Sequence, residues 1–214
     1  MKCIYCNSPT YTLKNGYKKC KVCKKKFSPK KLERKQNILN CFCKDYTANR
    51  CAKALGLNYI TVQKEYQKLR EEIVLIQEES FLNKKQLLGY DEYIYIPKTK
   101  SNNKSSIFDG FNFLTYNYDN KIYNILLPSL KRYKPKLIED NMQEVYFKEL
   151  EKFLLSYHLS NKGANPLIEE FWQYFEDFIL KFNGINSDNF IYYLKEAEFK
   201  FNNLNSTLYH NLKV

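Results

Sequence analysis

Residues 86–97 read "QLLGYDEYIYIP", and here the chain changes its period. Upstream, apolar residues recur at helical spacing; in this stretch β-branched and aromatic residues alternate with others, which is the pattern of a strand. At its centre stand two adjacent carboxylates, Asp91 and Glu92. Burying such a pair in an apolar run costs several kcal/mol unless something cationic compensates it, and a metal ion can do so. Alternation puts Asp91 on one face with Gly89, Tyr93 and Tyr95, and Glu92 on the other with Tyr90 and Ile94. The two acids point apart and cannot chelate one ion from the same strand face, so they call for separate partners, a Lys or Arg among them for Glu92.

Downstream, "SNNKSS" (101–106) reads as a loop. "SIFDGFNFLTYNYDNKIYNILLP" (106–128) reads as two further strands joined by a turn at Asp119-Asn120. Helical spacing follows at 139–158, 166–182 and 188–202, the last with Ser187 as N-cap. In "NPLIEEFWQYFEDFILKF" (165–182), Asn165 can cap and Pro166 suits the first helical position. Leu167, Ile168, Phe171, Trp172, Phe175, Phe178, Ile179 and Phe182 form one wide apolar stripe. Glu169, Gln173 and Glu176 lie together at its edge. Glu170, Glu176 and Asp177 read as a solvated acidic face, whereas Glu169 is a candidate ligand.

Upstream, residues 1–29 hold two C-x2-C pairs, Cys3/Cys6 and Cys20/Cys23, with thirteen residues between them. Two residues between thiolates let one tight knuckle present both sulfurs to a tetrahedral Zn²⁺, and an Asn15-Gly16 turn can fold the intervening strands into a hairpin. The spacing predicts a zinc ribbon, because a unit this short cannot bury a core without a staple. Residues 33–80 then read as helices. The first covers about Leu32 to Cys43. Thr47 caps "ANRCAKALG" (48–56), Gly56 breaks it, and Asn58 caps "YITVQKEYQKLREEIVLIQEES" (59–80). With Ala52 at the close approach of two helices and Cys51, Leu55, Leu57 and Val62 at apolar positions, this is a helix-turn-helix pattern. Cys41 and Cys43 read as small core residues like Cys51. Tyr59, Thr61, Gln63 and Lys64, at the start of the second helix, are placed for base edges and phosphates.

The chain has 214 residues, 44% hydrophobic and 16% aromatic, which is ample for a globular core. No membrane-spanning run or signal peptide is apparent, and seven cysteines without an export signal favour thiolates or metal over disulfides; a soluble, cytoplasmic protein is expected. The net charge of +12 is concentrated at one end. Residues 1–90 carry 20 Lys/Arg against 7 Asp/Glu, and residues 91–214 carry 15 against 16. Ten lysines and no acid in the first 31 residues, Lys24, Lys25 and Lys26 among them, predict contact with nucleic-acid phosphates.

The order of these units resembles the small bacterial insertion-sequence transposases that carry an N-terminal zinc ribbon, a helix-turn-helix and an integrase-like, RNase-H-like DDE domain. The matching residues are the two C-x2-C pairs followed by "KKKFS" (24–28), the strand "DEYIYI" (91–96), and "NPLIEEFWQYFEDFI" (165–179) running into "GINSDNFIYYLKEAEFKFN" (184–202). The likeness implies an α+β chain of three units: a zinc ribbon at 1–30, a helix-turn-helix at 31–82, and an RNase-H-like mixed sheet with helices at 83–214. It implies binding to the terminal inverted repeats of double-stranded DNA, cutting at their 3′ ends and strand transfer, by homo-oligomers that hold two ends together. Asp91 would be the first catalytic carboxylate and Glu169 the third, holding Mg²⁺ or Mn²⁺. The stretch between "ILLP" and "NPLIE" is shorter than the family's arrangement needs. Asp140, in "KLIEDNMQEVY" (136–146), is either the second ligand or an ordinary first-turn Asp of the following helix. If a strand and its Asp are missing, the chain binds DNA without cutting it.

Overall fold

A computed structural model describes residues 1–82, 86–97, 106–133, 165–182 and 184–203; Asp140 and the helix expected at 139–158 lie outside these. Over the described residues the chain is a mixed α+β protein with two small antiparallel sheets and five α-helices. No helix among them is long and apolar enough to cross a membrane. Two compact units divide between Leu69 and Arg70.

The first unit opens with β1 (Thr10–Thr12), β2 (Lys18–Cys20) and β3 (Lys26–Phe27), antiparallel in that order. Thr10 pairs with Cys20 and Lys18 with Phe27, and the hairpin turns at Asn15-Gly16, where Gly16 takes φ 78°. This small sheet has a buried cluster of Cys3, Cys20 and Phe27, with Cys23 packed against it.

Ser28 caps α1 (Pro29–Cys43) by accepting a hydrogen bond from Lys31 N, and Pro29 takes the first turn, where its missing N–H costs nothing. Thr47 caps α2 (Ala48–Leu55) in the same way through Arg50 N, and Gly56 ends it in the left-handed region at φ 61°. Asn58 Oδ1 accepts from Ile60 N at the start of α3 (Tyr59–Leu82). Of the residues that the helix-turn-helix pattern set at apolar positions, Cys51, Ala52 and Val62 are buried and Leu55 and Leu57 are half-buried. Phe42 meets Tyr66 edge-on at 5.0 Å, and the Tyr66 hydroxyl donates to Tyr46 O at 3.0 Å. Cys41 is buried, whereas Cys43 is only half-buried.

The second unit is built on β4 (Leu87–Tyr95), β5 (Phe111–Tyr118) and β6 (Lys121–Leu126), antiparallel in chain order. Asp119 and Asn120 both have positive φ (52° and 59°), the two-residue turn that matches strand twist. Registers of Asp91↔Thr115 and Thr115↔Asn124 put those three residues on one sheet face with Gly89, Tyr93, Tyr95, Phe113 and Asn117. That face is covered by α4 (Pro166–Ile179), whose Ile168, Phe171, Phe175, Phe178 and Ile179 are buried. The common core is rich in phenylalanine: Phe113, Phe171, Phe175, Phe178 and Phe190 are each at most 1% exposed.

A 3-10 turn at Ser187–Asn189 leads into α5 (Phe190–Phe201), and it is Asn186, not Ser187, whose side chain caps that turn, through Asp188 N. Seven consecutive residues of α5, Leu194–Lys200, are buried, four of them charged. Glu196 accepts from Arg70 Nε of α3 at 2.6 Å and from Lys200 Nζ at 2.7 Å. Glu198 accepts from Lys195 Nζ, from Gln77 Nε2 at 2.7 Å, and from the backbone and side-chain amides of Asn124 at 2.7 and 3.0 Å. Asn202 completes the seam, accepting from Ile122 N and donating to Ile122 O, both at 2.7 Å. The outward amides of Ile122 and Asn124 on β6 are thus answered by side chains of α5 and of its C-cap Asn202.

Candidate functional site

The four sulfurs of Cys3, Cys6, Cys20 and Cys23 all lie within 4.8 Å of one another. Cys3 Sγ is 3.7 Å from Cys23 Sγ, and Cys6 Sγ is 3.4 Å from Cys20 Sγ. A zinc tetrahedron with Zn–S bonds of about 2.3 Å needs sulfurs about 3.8 Å apart, so the donor set and spacing suit a metal ion such as zinc. β2 delivers Cys20 and the turn before β3 delivers Cys23, while Cys3 and Cys6 come from the opening loop. Backbone N–H groups point at the sulfurs: Tyr5 N donates to Cys3 Sγ at 3.4 Å, and Val22 N and Cys23 N donate to Cys20 Sγ at 3.3 and 3.4 Å. The residue after each pair, Asn7 and Lys24, takes the left-handed conformation at φ 57° and 61°.

Without metal, the thiols differ. Hydrogen bonds from the Ser8 side chain and backbone, with Cys20, bring Cys6 down to about 6. Burial works against the Cys20 thiolate, but the Val22 and Cys23 N–H groups outweigh it and hold its pKa below the usual thiol value. The Lys25 N–H favours a Cys23 thiolate, yet burial and the three neighbouring sulfurs push Cys23 up to about 12. These opposed shifts are what four thiols competing to ionise at one point produce, and a divalent cation relieves that competition. The remaining cysteines play no part: Cys51 is buried in the helical region, and burial raises its thiol to about 11.

The lysines after the second cysteine pair and most of the residues that open α3 are accessible. Lys24, Lys25 and Lys26 are exposed, with Lys25 Nζ 4.8 Å from the centre of the Tyr5 ring. On the first turns of α3, Tyr59, Gln63 and Lys64 are exposed and Thr61 is half-buried, while Val62 and Tyr66 of the same helix are buried.

In the second unit, Asp91 lies on the sheet face that α4 covers. Its neighbours on β4 locate it against that helix. Gly89 lies beneath Asn165: a Cβ at Gly89 would meet Asn165 Nδ2 at 2.6 Å. On the other side, the Tyr93 ring packs on Trp172 at 4.8 Å and its hydroxyl donates to Glu176 Oε1. Asp91 is therefore bracketed by contacts to the N-cap and the middle of α4, and Glu169 lies on that helical face between them, one turn from Asn165 and three residues before Trp172. Asp91 Oδ1 accepts from Glu92 N at 2.7 Å, and Oδ2 has no partner among the described residues. Glu169 is exposed near the start of the helix. Glu92, paired across the strands with Leu114, has no ion-pair partner among the described residues.

Three features here differ from the sequence reading. Asn165 occupies the cap position but its side chain makes no cap bond; Oδ1 accepts instead from Asn117 Nδ2 at 3.2 Å, which ties the helix start to the sheet. Glu176 is not merely a solvated acid, since it receives the Tyr93 hydroxyl, and burial together with that carboxylate raises the Tyr93 pKa above its ordinary value. Thr115, directly across from Asp91, was not singled out: it accepts from Trp172 Nε1 at 2.9 Å and donates to Asn124 Oδ1 at 2.7 Å. The Asp119-Asn120 turn carried the signal for half of this, because counting back from it fixes Thr115 opposite Asn124.

Compared with protein-family models, with curated proteins and with solved structures, the chain finds no significant match in any of the three.

Proposed function

We propose that this chain is a DNA transposase that binds the terminal inverted repeats of its element and carries out metal-dependent cleavage and strand transfer. The observation that supports it most is the bracketing of Asp91 beneath α4, with Glu169 on the helical face between Asn165 and Trp172. Three antiparallel strands in chain order, an acid at the middle of the first, and a carboxylate-bearing helix laid on the same face are consistent with the opening half of an RNase-H-like domain. In this reading the four cysteines hold a structural zinc ion in a ribbon. Lys24, Lys25 and Lys26 neutralise phosphates, and Tyr59, Thr61, Gln63 and Lys64 enter the major groove. Asp91 and Glu169, with Asp140 by likeness to the transposases, are the residues that would hold Mg²⁺ or Mn²⁺. Such ions, when bound, activate water or a 3′-hydroxyl for in-line attack on a phosphodiester. Bringing two element ends together requires a homo-oligomer on double-stranded DNA.

A second reading is a transposase-derived protein that recognises a DNA sequence without cutting it. It is favoured by one observation: the stretch between "ILLP" (125–128) and "NPLIE" (165–169) is shorter than the transposase arrangement needs. Cleavage of a terminal-repeat duplex with Mn²⁺ separates the two. Wild type should nick the duplex, and Asp91→Ala and Glu169→Ala should abolish nicking while duplex affinity persists. Absence of cutting by the wild type, or cutting untouched by Asp91→Ala, leaves the binding-only reading. Undiminished activity in Asp140→Ala removes only that residue from the site.

A further inference from the structure

Between the ribbon and the first turn of α1 the first unit carries a groove of about 400 Å³, lined by Tyr5, Tyr17, Lys26, Ser28, Lys31 and Lys35 among others. Two tyrosines are displayed there at unusual exposure, 53% for Tyr5 and 44% for Tyr17. One face of Tyr5 is taken by Lys25 Nζ, and its edge meets Phe27 at a centroid distance of 6.4 Å. Tyr17 makes no ring contact among the described residues, so its ring is available. Lys26, Lys31 and Lys35 supply three positive charges, and no carboxylate is among the described lining residues. Ser28 and Lys31 belong to the start of α1, a fifteen-residue helix whose positive end opens here.

This combination selects among ligands. A groove for an apolar peptide has no use for three lysines, and a seat for a duplex backbone can use a tyrosine hydroxyl on a phosphate but leaves the ring faces idle, because duplex bases stay in their stack. An unpaired nucleotide needs both: a ring to stack its base on and cations for its phosphates. The volume is in the range of pockets that take one planar group with its substituents. We propose that the groove binds an unpaired nucleotide of a DNA strand, its base stacked on Tyr17 against the wall made by Tyr5, its phosphates on Lys26, Lys31 and Lys35. The inference rests on the DNA-binding reading above and goes beyond it, since that reading assigns only duplex contacts. DNA with a frayed or single-stranded end should then bind more tightly than the same duplex fully paired.

The test uses the full, zinc-loaded chain and fluorescence anisotropy at fixed salt, with a labelled duplex and the same duplex extended by a short unpaired overhang. The overhang should raise affinity. Tyr17→Ala should lower affinity for the overhang DNA by roughly 5- to 150-fold while changing duplex affinity by no more than about twofold, and Tyr17→Phe should restore the preference because it keeps the ring. Equal affinity of the wild type for the two DNAs overturns the proposal, as does a Tyr17→Ala variant that weakens both equally, which would mean that the groove receives paired backbone. Failure of the wild type to bind either DNA overturns the proposal together with the DNA-binding reading on which it rests. Tyr17 is exposed and is not a metal ligand, so unchanged zinc content and circular dichroism certify the variant.

Discussion

Lys24 and Asn7 hold equivalent places, each just after the second cysteine of a pair and each left-handed. Asn tolerates that conformation, but a Lys side chain gains nothing from it, and a left-handed L-residue costs about 1–2 kcal/mol. Lys24→Gly should therefore raise the stability of the zinc-loaded protein by about 0.5–1 kcal/mol, net of the extra freedom of glycine when unfolded, read as an upward shift in thermal unfolding. The same variant should lower the salt slope of DNA binding by about one phosphate contact if Lys24 touches the backbone. At Gly89 the demand is for space. A methyl group there would meet Asn165 Nδ2 at 2.6 Å, and the shift it forces on that side chain disrupts the hydrogen bond that Asn165 Oδ1 accepts from Asn117 Nδ2. Because the displaced atom is the end of a side chain, Gly89→Ala should cost only about 1 kcal/mol in urea unfolding. Combined with Asn165→Ala it should cost clearly less than the two changes added, as a double-mutant cycle would show. The sequence marks Gly89 as a glycine inside a strand, a sign of close backbone approach, but it does not say what approaches.

At the scale of elements, the capped helices and the hairpin were legible because each is decided locally: Thr47 and Gly56 bound α2, and Asp119-Asn120 turns β5 into β6. The burial of α5 was not. Its string "LKEAEFK" has charges where a solvated face would carry them, and the groups that satisfy those charges come from far away in sequence. Arg70 is 126 residues from Glu196, Gln77 is 121 from Glu198, and Asn124 is 74 from Glu198. Such an arrangement is costly to break on one side. Glu196→Ala leaves Arg70 and Lys200 buried without their carboxylate and should destabilise the second unit by about 3–5 kcal/mol in chemical denaturation. Burial disfavours the charged Glu196, but Lys200 and Arg70 outweigh it and depress its pKa below the ordinary 4.5. Its contribution is thus complete above the unfolded value and lost as pH falls through the lower folded one. Glu196→Gln should accordingly show a shallower loss of stability than wild type over that acid range. Glu198 moves oppositely: burial raises its pKa despite Lys195 and the Asn124 amides.

For the whole molecule, the cysteine-bearing N-terminal stretch and the second unit differ in what holds them. The second has a phenylalanine-rich core of its own, whereas residues 1–29 bury little beyond Cys3, Cys20 and Phe27. A chelator should unfold the ribbon alone, seen as new protease cleavage within residues 1–29 while the second unit stays resistant, and zinc should restore protection. A ribbon that resists protease after complete metal removal would refute a structural zinc. That asymmetry was readable from cysteine spacing and charge, since both are written in consecutive residues. The proposed acidic site was not, because its three acids are far apart in sequence and Asp140, assigned to it by likeness alone, lies outside the described residues. The seam of Asn202 and Glu198 along β6 bears on the edges of the sheet. By occupying the outward amides of Ile122 and Asn124, α5 closes the sheet to growth on that flank. Among the described residues the opposite flank, β4, is paired with no further strand. Among the described residues the edge of the sheet that neither a strand nor the α5 seam covers is therefore β4, the strand that carries Asp91.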